Sequence, residues 1–525
     1  MSSEKVLVAG VDTSTQSCKV RVSDAATGAL VRMGVAKHPD GTSVNPQAWW
    51  DAYQEAVAQI GGLDDVAALS VGGQQHGMVL LDDHGRVIRD ALLWNDTRSA
   101  EQAEKLIVEL GEEALATEGK ADEAPVDSDT NTSADADAVH ARGIREWVHA
   151  VGTSLIASIT ITKVRWVAEN EPENARRIAA ICLPHDWLTW RIAGYGPQAS
   201  AEEGLKALSH LTTDRSDASG TGYFDPATNQ YRRDLLAKAL LGTVDAQKVI
   251  LPEVVSPAGI AGTADPAQAG KNVEGGCVLG AGGGDNAMAS FGLSMGAGDV
   301  SISLGTSGVA AAVSPTPAYD DTGAVNGFAD ASGQFLPLAC TINASRITNA
   351  GCQMLGTSFD EFAELAFKAE PGAQGVTLVP FFDGERTPNR PTASARLEGM
   401  NLANTTRENI ARAFVEALLC TQRDCLEDVR ALGVPVRRLL LIGGGARSAA
   451  VRKLGPSILG MEVSVPHTDE YVAIGAARQA AWALATSSDP EAQAPAWPVE
   501  IDAVYPATDV EVGEKVYRQY VSHRG

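Results

Sequence analysis

Apolar positions early in the chain fall into short blocks of period two, separated by turns of hydroxyl and glycine residues. Val6 to Asp12 is a compact apolar run, and Cys18-Lys19-Val20-Arg21-Val22 alternates as a half-covered strand must. With a further turn at Ala26-Thr27-Gly28 and the run Leu30 to Met33, the pattern predicts a three-stranded antiparallel meander with Asp12 at its first bend. Asn45-Pro46 then offers a cap followed by proline at a first helical position, and Trp49, Tyr53, Val57 and Ile60 recur at helical spacing. Val66 to Val71 predicts another strand, ending in Gly72-Gly73-Gln74-Gln75-His76-Gly77 before Met78 to Leu81 resumes the sheet. Amides and an imidazole set between glycines at a strand end suit hydrogen bonding to a polyol.

The pattern changes from about 111 to 141. Glu118 to Asp137 is rich in Asp, Glu, Ala, Ser and Thr and almost free of large apolar residues, which predicts a mobile acidic insertion that buries too little surface to order itself. Leu183 to Trp187 and Thr212 to Gly220 read as polar, turn-rich segments.

Two strand-turn units around the middle of the chain carry the candidate chemistry. Val278-Leu279-Gly280 runs through Gly282-Gly283-Gly284 into Asp285-Asn286, placing a carboxylate on a turn that a ligand can approach closely. Val300 to Leu304 ends in Gly305-Thr306-Ser307-Gly308, a turn rich in the N–H and hydroxyl donors that surround phosphate oxygens. The unit Val300 to Val313 repeats the opening strand, hydroxyl-rich turn and strand, so the chain reads as a duplicated domain with its ligand between the halves. A long helix from about Arg407 to Leu432 and the strand Leu439 to Ile442 follow. That strand breaks into Gly443-Gly444-Gly445-Ala446-Arg447-Ser448, a strand, glycine turn and helix start of nucleotide-binding geometry.

With 525 residues the chain is too long for one core, and two domains are expected. A formal charge of −24 argues against nucleic-acid backbones and anionic membranes as partners, while local donors and a metal ion still allow ATP. Seven scattered cysteines without a CxxC pair fit reduced thiols, and neither a leader-like start nor an apolar run of about 18 residues is present, so a cytoplasmic protein is expected.

No GxxxxGK[ST] occurs, and neither glycine cluster completes GxGxxG. The whole pattern instead resembles the FGGY carbohydrate kinases. The residues that carry the likeness run in order from Gly10-Val11-Asp12 through Gln74 to Gly77, Leu93 to Asp96, the segment around Lys163 and Trp166, Thr213 to Ser219, Gly282 to Asn286, Leu304 to Gly308, Gly384 to Pro388 and Ile442 to Ser448. Gln74 to Gly77 and Leu93 to Asp96 are most similar to the branch of the family that phosphorylates D-xylulose.

The resemblance implies an α/β protein of two ribonuclease H-like domains of the actin and hexokinase type, at 1–289 and 290–525, closing on a sugar and ATP-Mg2+. It implies Asp285 as the catalytic base, Asp12 beside the metal, and Gln75, His76, Asp285 and Asn286 against the sugar. Thr13, Ser14, Gly305, Thr306, Ser307, Gly443, Gly444, Gly445 and Arg447 would hold the nucleotide, and the active form would be a homodimer. Gln75 stands where many relatives acting on xylulose carry Met, which leaves another ketose or polyol open. A sugar sensor without activity is the rival from outside enzymology, and the retained Asp12, Asp285 and glycine turns argue against it.

Overall fold

The structure, a computed structural model, describes residues 5–119 and 132–525. The chain opens with the antiparallel strands β1 (Leu7–Thr13), β2 (Ser17–Asp24) and β3 (Leu30–Lys37), the meander that the alternation predicts. β4 (Val66–Gly73) pairs parallel with β1, and the sheet is extended by β5 (Ile260–Thr263), β6 (Val278–Gly280) and β7 (Gly283–Gly284). Its order is β5-β6-β4-β1-β2-β3, with β7 also beside β4. Every residue of β4 is buried, as a central strand covered on both faces requires, whereas the edge strand β3 alternates.

The second sheet contains β8 (Asp299–Leu304), β9 (Gly308–Ala312), β10 (Val325–Ala329), β11 (Phe335–Thr341), β12 (Arg438–Ile442), β13 (Val463–Pro466) and β14 (Ile501–Tyr505). Its order is β10-β11-β9-β8-β12-β13-β14. β8, β9 and β11 form an antiparallel meander, β12 and β13 continue parallel from β8, and β14 closes the edge antiparallel. The first sheet has the same sequence of senses: antiparallel β1, β2 and β3, parallel β4 and β6, antiparallel β5. This is the duplication read from the two hairpins.

Helices cover both sheets. Of these, α1 (Gln47–Gln59) buries Trp49 and Tyr53 at the expected spacing, and α2 (Ala100–Gly119) and α3 (Thr132–Val151) run as a pair. The expected acidic insertion therefore fails at both flanks, which are helical; residues 120–131 lie outside the described residues. Ala, Glu and Arg favour helix here, and the two helices approach closely at glycines. A Cβ on Gly111 would lie 2.1 Å from the Val139 carbonyl oxygen, and one on Gly143 2.0 Å from that of Ile107. Trp147 is fully buried between them and donates to the Leu106 carbonyl at 3.1 Å. Further on come α4 (Thr160–Asn170), α5 (Pro184–Ile192), α6 (Asp285–Gly292), α7 (Arg407–Ala431) and α8 (Tyr471–Thr486).

The largest apolar core joins α7 to the second sheet, where Leu304, Phe414, Leu418 and Leu441 are all essentially inaccessible. Each such side chain contributes about 1.5–3 kcal/mol of burial. The first sheet takes part of its cover from α8, which begins nearly 400 residues after β4 ends. Ala477 and Ala480 pack with Val8 and Ala68, and a Cβ on Gly10 would sit 1.9 Å from the Ala473 carbonyl oxygen. Small residues on both sides let helix and strand touch backbone to backbone. Among the described residues no helix is long and apolar enough to cross a membrane.

Candidate active site

The two sheets direct the ends of their central strands at one cavity of about 410 Å³. Asp12, near the end of β1, Ser14, and Asp285 and Asn286, which open α6, line it from the first half; Gly443, Gly444 and Arg447, in the turn after β12, line it from the second. The sequence-derived candidates for base, metal and nucleotide thus meet in one space.

Asp285 is the first residue of α6, immediately after the triple glycine. Its Oδ1 accepts from the Asn286 backbone N–H at 2.8 Å and side chain at 3.1 Å, leaving Oδ2 without a protein donor among the described residues. Burial, with the Asp12 carboxylate adding to it, pushes its pKa up to about 7. A carboxylate so poised exchanges a proton near neutrality.

Asp12 is 2% exposed and faces Lys19 across the β1–β2 ladder. The Lys19 ammonium lies 3.2 Å from Asp12 Oδ2 and 2.6 Å from Glu470 Oε2. Asp12 Oδ1 is buried with no partner among the described residues. Burial raises the Asp12 pKa, with Lys19 opposing. An orphaned anionic oxygen at the edge of a polar cavity is a fitting ligand for a hard divalent cation.

The turn that carries Asp285 is held from three sides. Gly282 N–H donates to Gln479 Oε1 at 2.9 Å and to Ser70 Oγ at 3.2 Å, and Gln479 Nε2 returns a 2.9 Å bond to the Gly282 carbonyl. Gly284 N–H donates to Ser216 Oγ at 3.2 Å. Gly282 has φ +81°, and a Cβ there would fall 2.4 Å from the His185 ring. His185 is wholly buried, its Nδ1 2.6 Å from Asp217 and its Nε2 3.1 Å from Asp186; the two carboxylates outweigh the burial that would neutralise the ring and keep it protonated. Leu183 to Trp187 and Thr212 to Gly220 are therefore not open polar turns. They form α5 and a short helix, Arg215–Ala218, capped by Asp214. Their polar groups are buried around the His185–Asp217 bond and the cap that Asp214 makes with the Ser216 and Asp217 N–H groups.

Gln75 is buried, and its Oε1 accepts from Asn286 Nδ2 at 2.9 Å, which ties the Gln74 to Gly77 loop to the start of α6. His76 has φ +67°. Its Nδ1 donates to the Gly220 carbonyl at 2.7 Å, and its ring lies 5.6 Å from that of Phe328. Burial, helped by the charges of Lys163 and Arg386, pulls its pKa down to about 3, so the ring is neutral and Nε2 is an acceptor.

The remaining candidates border the cavity rather than line it. Thr13 is buried, its hydroxyl without a partner among the described residues. Gly305 and Thr306 are exposed, Ser307 half-buried; the Gly305 and Thr306 carbonyls accept from Ser345 and Ala344 N–H. Gly443 (φ +85°) and Gly445 wrap Leu304, so the two glycine turns of the second half adjoin.

Models of the FGGY family of carbohydrate kinases match this chain in both parts: the N-terminal domain over residues 7–124 and 122–292, the C-terminal domain over 300–484. The chain belongs to the FGGY family of carbohydrate kinases. A xylulose kinase of Streptomyces coelicolor is 41% identical over 503 residues, 94% of this chain and 92% of the relative. One from Streptomyces rubiginosus is 40% identical over 515 residues, 97% and 94%. The crystal structure of xylulose kinase from Bifidobacterium adolescentis superposes with a TM-score of 0.90 at 61% identity, covering 99% of this chain and 100% of that one. The two sheets of this kinase are the two halves of the actin and hexokinase type of core.

Several side chains of this kinase site escape the sequence reading. Lys19 had a usable signal, since it lies opposite Asp12 across a short hairpin. Gln479 had another, as a buried polar residue in a run dominated by alanine. Glu470 had none, because its approach to Lys19 spans 451 positions.

Proposed function

We propose that this kinase transfers the γ-phosphoryl group of ATP to D-xylulose, giving D-xylulose 5-phosphate, with Asp285 as general base. The observation that carries the reading is the single cavity where a near-neutral carboxylate, an orphaned carboxylate oxygen and a glycine turn after a parallel strand converge. The names of relatives that match over nearly the full chain support the sugar.

Phosphoryl transfer needs in-line placement and charge stabilisation more than covalent help. Asn286 and Gln75 form one hydrogen-bonded pair that orients the sugar, and His76 Nε2 accepts from one of its hydroxyls. Asp285 takes the proton of the attacking hydroxyl as the bond to phosphorus forms. Gly443 to Gly445 admit the nucleotide close to the backbone, Arg447 adds positive charge, and Thr13, Ser14 and Gly305 to Ser307 offer donors to phosphate oxygens. Mg2+ held by Asp12 would neutralise phosphate charge, and Asp12 Oδ1 suits that role. The reading includes a cytoplasmic homodimer: seven free cysteines fit the compartment, and family likeness supports the pairing.

The test is ADP release with ATP-Mg2+ and a panel of D-xylulose, D-ribulose, L-ribulose, glycerol and arabitol. D-Xylulose is expected to give the highest kcat/KM. A higher value for another sugar would transfer the assignment to it, in keeping with Gln75 in place of Met.

A further inference from the structure

A lysine without an acid stands behind the sugar loop. Lys163 is 0% exposed, and among the described residues no carboxylate oxygen comes within 4 Å of its ammonium. Burying an unpaired cation is costly, and a fold keeps one only where its donors are needed. The Nζ of Lys163 donates to two backbone carbonyls, those of His76 at 3.0 Å and of Ser158. Thr160 Oγ1 reaches the same His76 carbonyl at 3.2 Å.

His76 is where such donors are needed. Its φ of +67° lies in the left-handed region, which a residue bearing a Cβ adopts only when its surroundings fix it. That conformation turns its carbonyl away from the strand ladder and into the protein, where it would be stranded without Lys163 and Thr160. The ring is fixed from the other side, with Nδ1 on the Gly220 carbonyl; a Cβ on Gly220 would be 2.5 Å from that nitrogen, so the fit leaves no slack.

We propose that Lys163 is a positioning residue for sugar recognition: by holding the His76 carbonyl inward it fixes the left-handed loop and so aims the imidazole at the substrate. The assignment rests on the reading of His76 as a sugar contact. Burial pulls the Lys163 pKa down to about 7, and the hold through backbone oxygens does not need full charge.

Lys163→Met keeps length and removes the donor. The enzyme and its Lys163→Met, His76→Ala and double variants are compared by steady-state kinetics with D-xylulose and ATP-Mg2+. The expected result is a roughly tenfold rise in KM for the sugar, KM for ATP within twofold, and no further rise when Lys163→Met is added to His76→Ala. A second readout does not depend on the sugar. In protein labelled with 15N-histidine, the His76 resonance, assigned by its loss in His76→Ala, should report a neutral Nδ1–H ring in the wild type and shift or broaden in Lys163→Met. An unchanged resonance overturns the proposal whatever the kinetics, as does an equal rise in both KM values. If His76→Ala leaves the sugar KM untouched while the resonance still responds to Lys163, the reading of His76 as a sugar contact falls and the positioning of its ring stands. Should Lys163→Met fail to fold, Thr160→Val removes the other donor and is expected to move both readouts in the same direction; no movement overturns the proposal.

Discussion

Replacing Gln479 with leucine should weaken the kinase through a single stranded carbonyl. The wild-type amide lies at 0% exposure and forms a two-bond clamp on Gly282, with Ser70 as a third partner. In Gln479→Leu the Gly282 N–H keeps Ser70 Oγ at 3.2 Å, so that donor remains satisfied. The Gly282 carbonyl loses Nε2 and has no other donor among the described residues, which costs about 1–3 kcal/mol, and the lost acceptor for Ser70 adds ~1 kcal/mol. Unfolding should therefore move to lower urea by an amount worth about 2–4 kcal/mol. The same turn carries Asp285 three residues on, and a shift of ~1 Å in a reacting group costs up to 10²-fold in rate. Expected kinetics are a kcat lowered roughly 10- to 100-fold with both KM values nearly unchanged. Gln479→Glu sharpens the test. A glutamate there has its folded pKa raised above the unfolded value by burial and the facing carbonyl, so its contribution is present at low pH, where the acid can donate, and is lost as pH rises through the folded pKa. Urea midpoints measured from pH 5 to 8 should fall with pH for Gln479→Glu relative to wild type. A leucine variant with wild-type kcat and wild-type midpoint would refute the clamp.

Four further outcomes follow from the site and the helix pair. Asp285→Asn should bind sugar and ATP within a few fold of wild type while kcat drops by roughly 10² or more; retained kcat would remove Asp285 as base. Because the base works only when ionised, kcat/KM of the wild type should fall about tenfold per unit as pH drops below about 7, and a flat profile there would contradict a carboxyl raised by burial and Asp12. Gln75→Met should shift the ratio of kcat/KM between D-xylulose and rival sugars, and Gly143→Leu, with its side chain driven at the Ile107 carbonyl, should lower the thermal midpoint by several degrees; an unmoved ratio or midpoint would discount the respective contact.

Much of the site is legible in the sequence because its signals are local. A strand that stops at Asp12 and another that runs through three glycines into Asp285 announce themselves by composition, and the second sheet repeats the grammar of the first. The helix pair α2–α3 is not legible in the same way. Its stability comes from backbone contact at Gly111 and Gly143, whereas low hydrophobicity and many acids resemble disorder when each half is read alone. The buried ring of His185 with Asp186, Asp214 and Asp217 is hidden for a related reason. Each is polar and sits among turn formers, and only the fold brings the ring against the Asp186 and Asp217 carboxylates. The link from Lys19 to Glu470 depends on chain reversal over most of the sequence, and no window of residues contains it.

The docking of α8 on β1 has a consequence for how the chain is made. A ribosome that has finished β4 still has about 400 residues to add before α8 is complete, roughly 20–80 s at 5–20 residues per second. Throughout that interval the face of Gly10, Val8 and Ala68 waits without its cover, an apolar edge presented to whatever else is in the cell. The first domain thus cannot close until most of the chain has been made, and a message cut short just before Tyr471 would yield not a protein lacking its tail but one whose beginning never finishes folding.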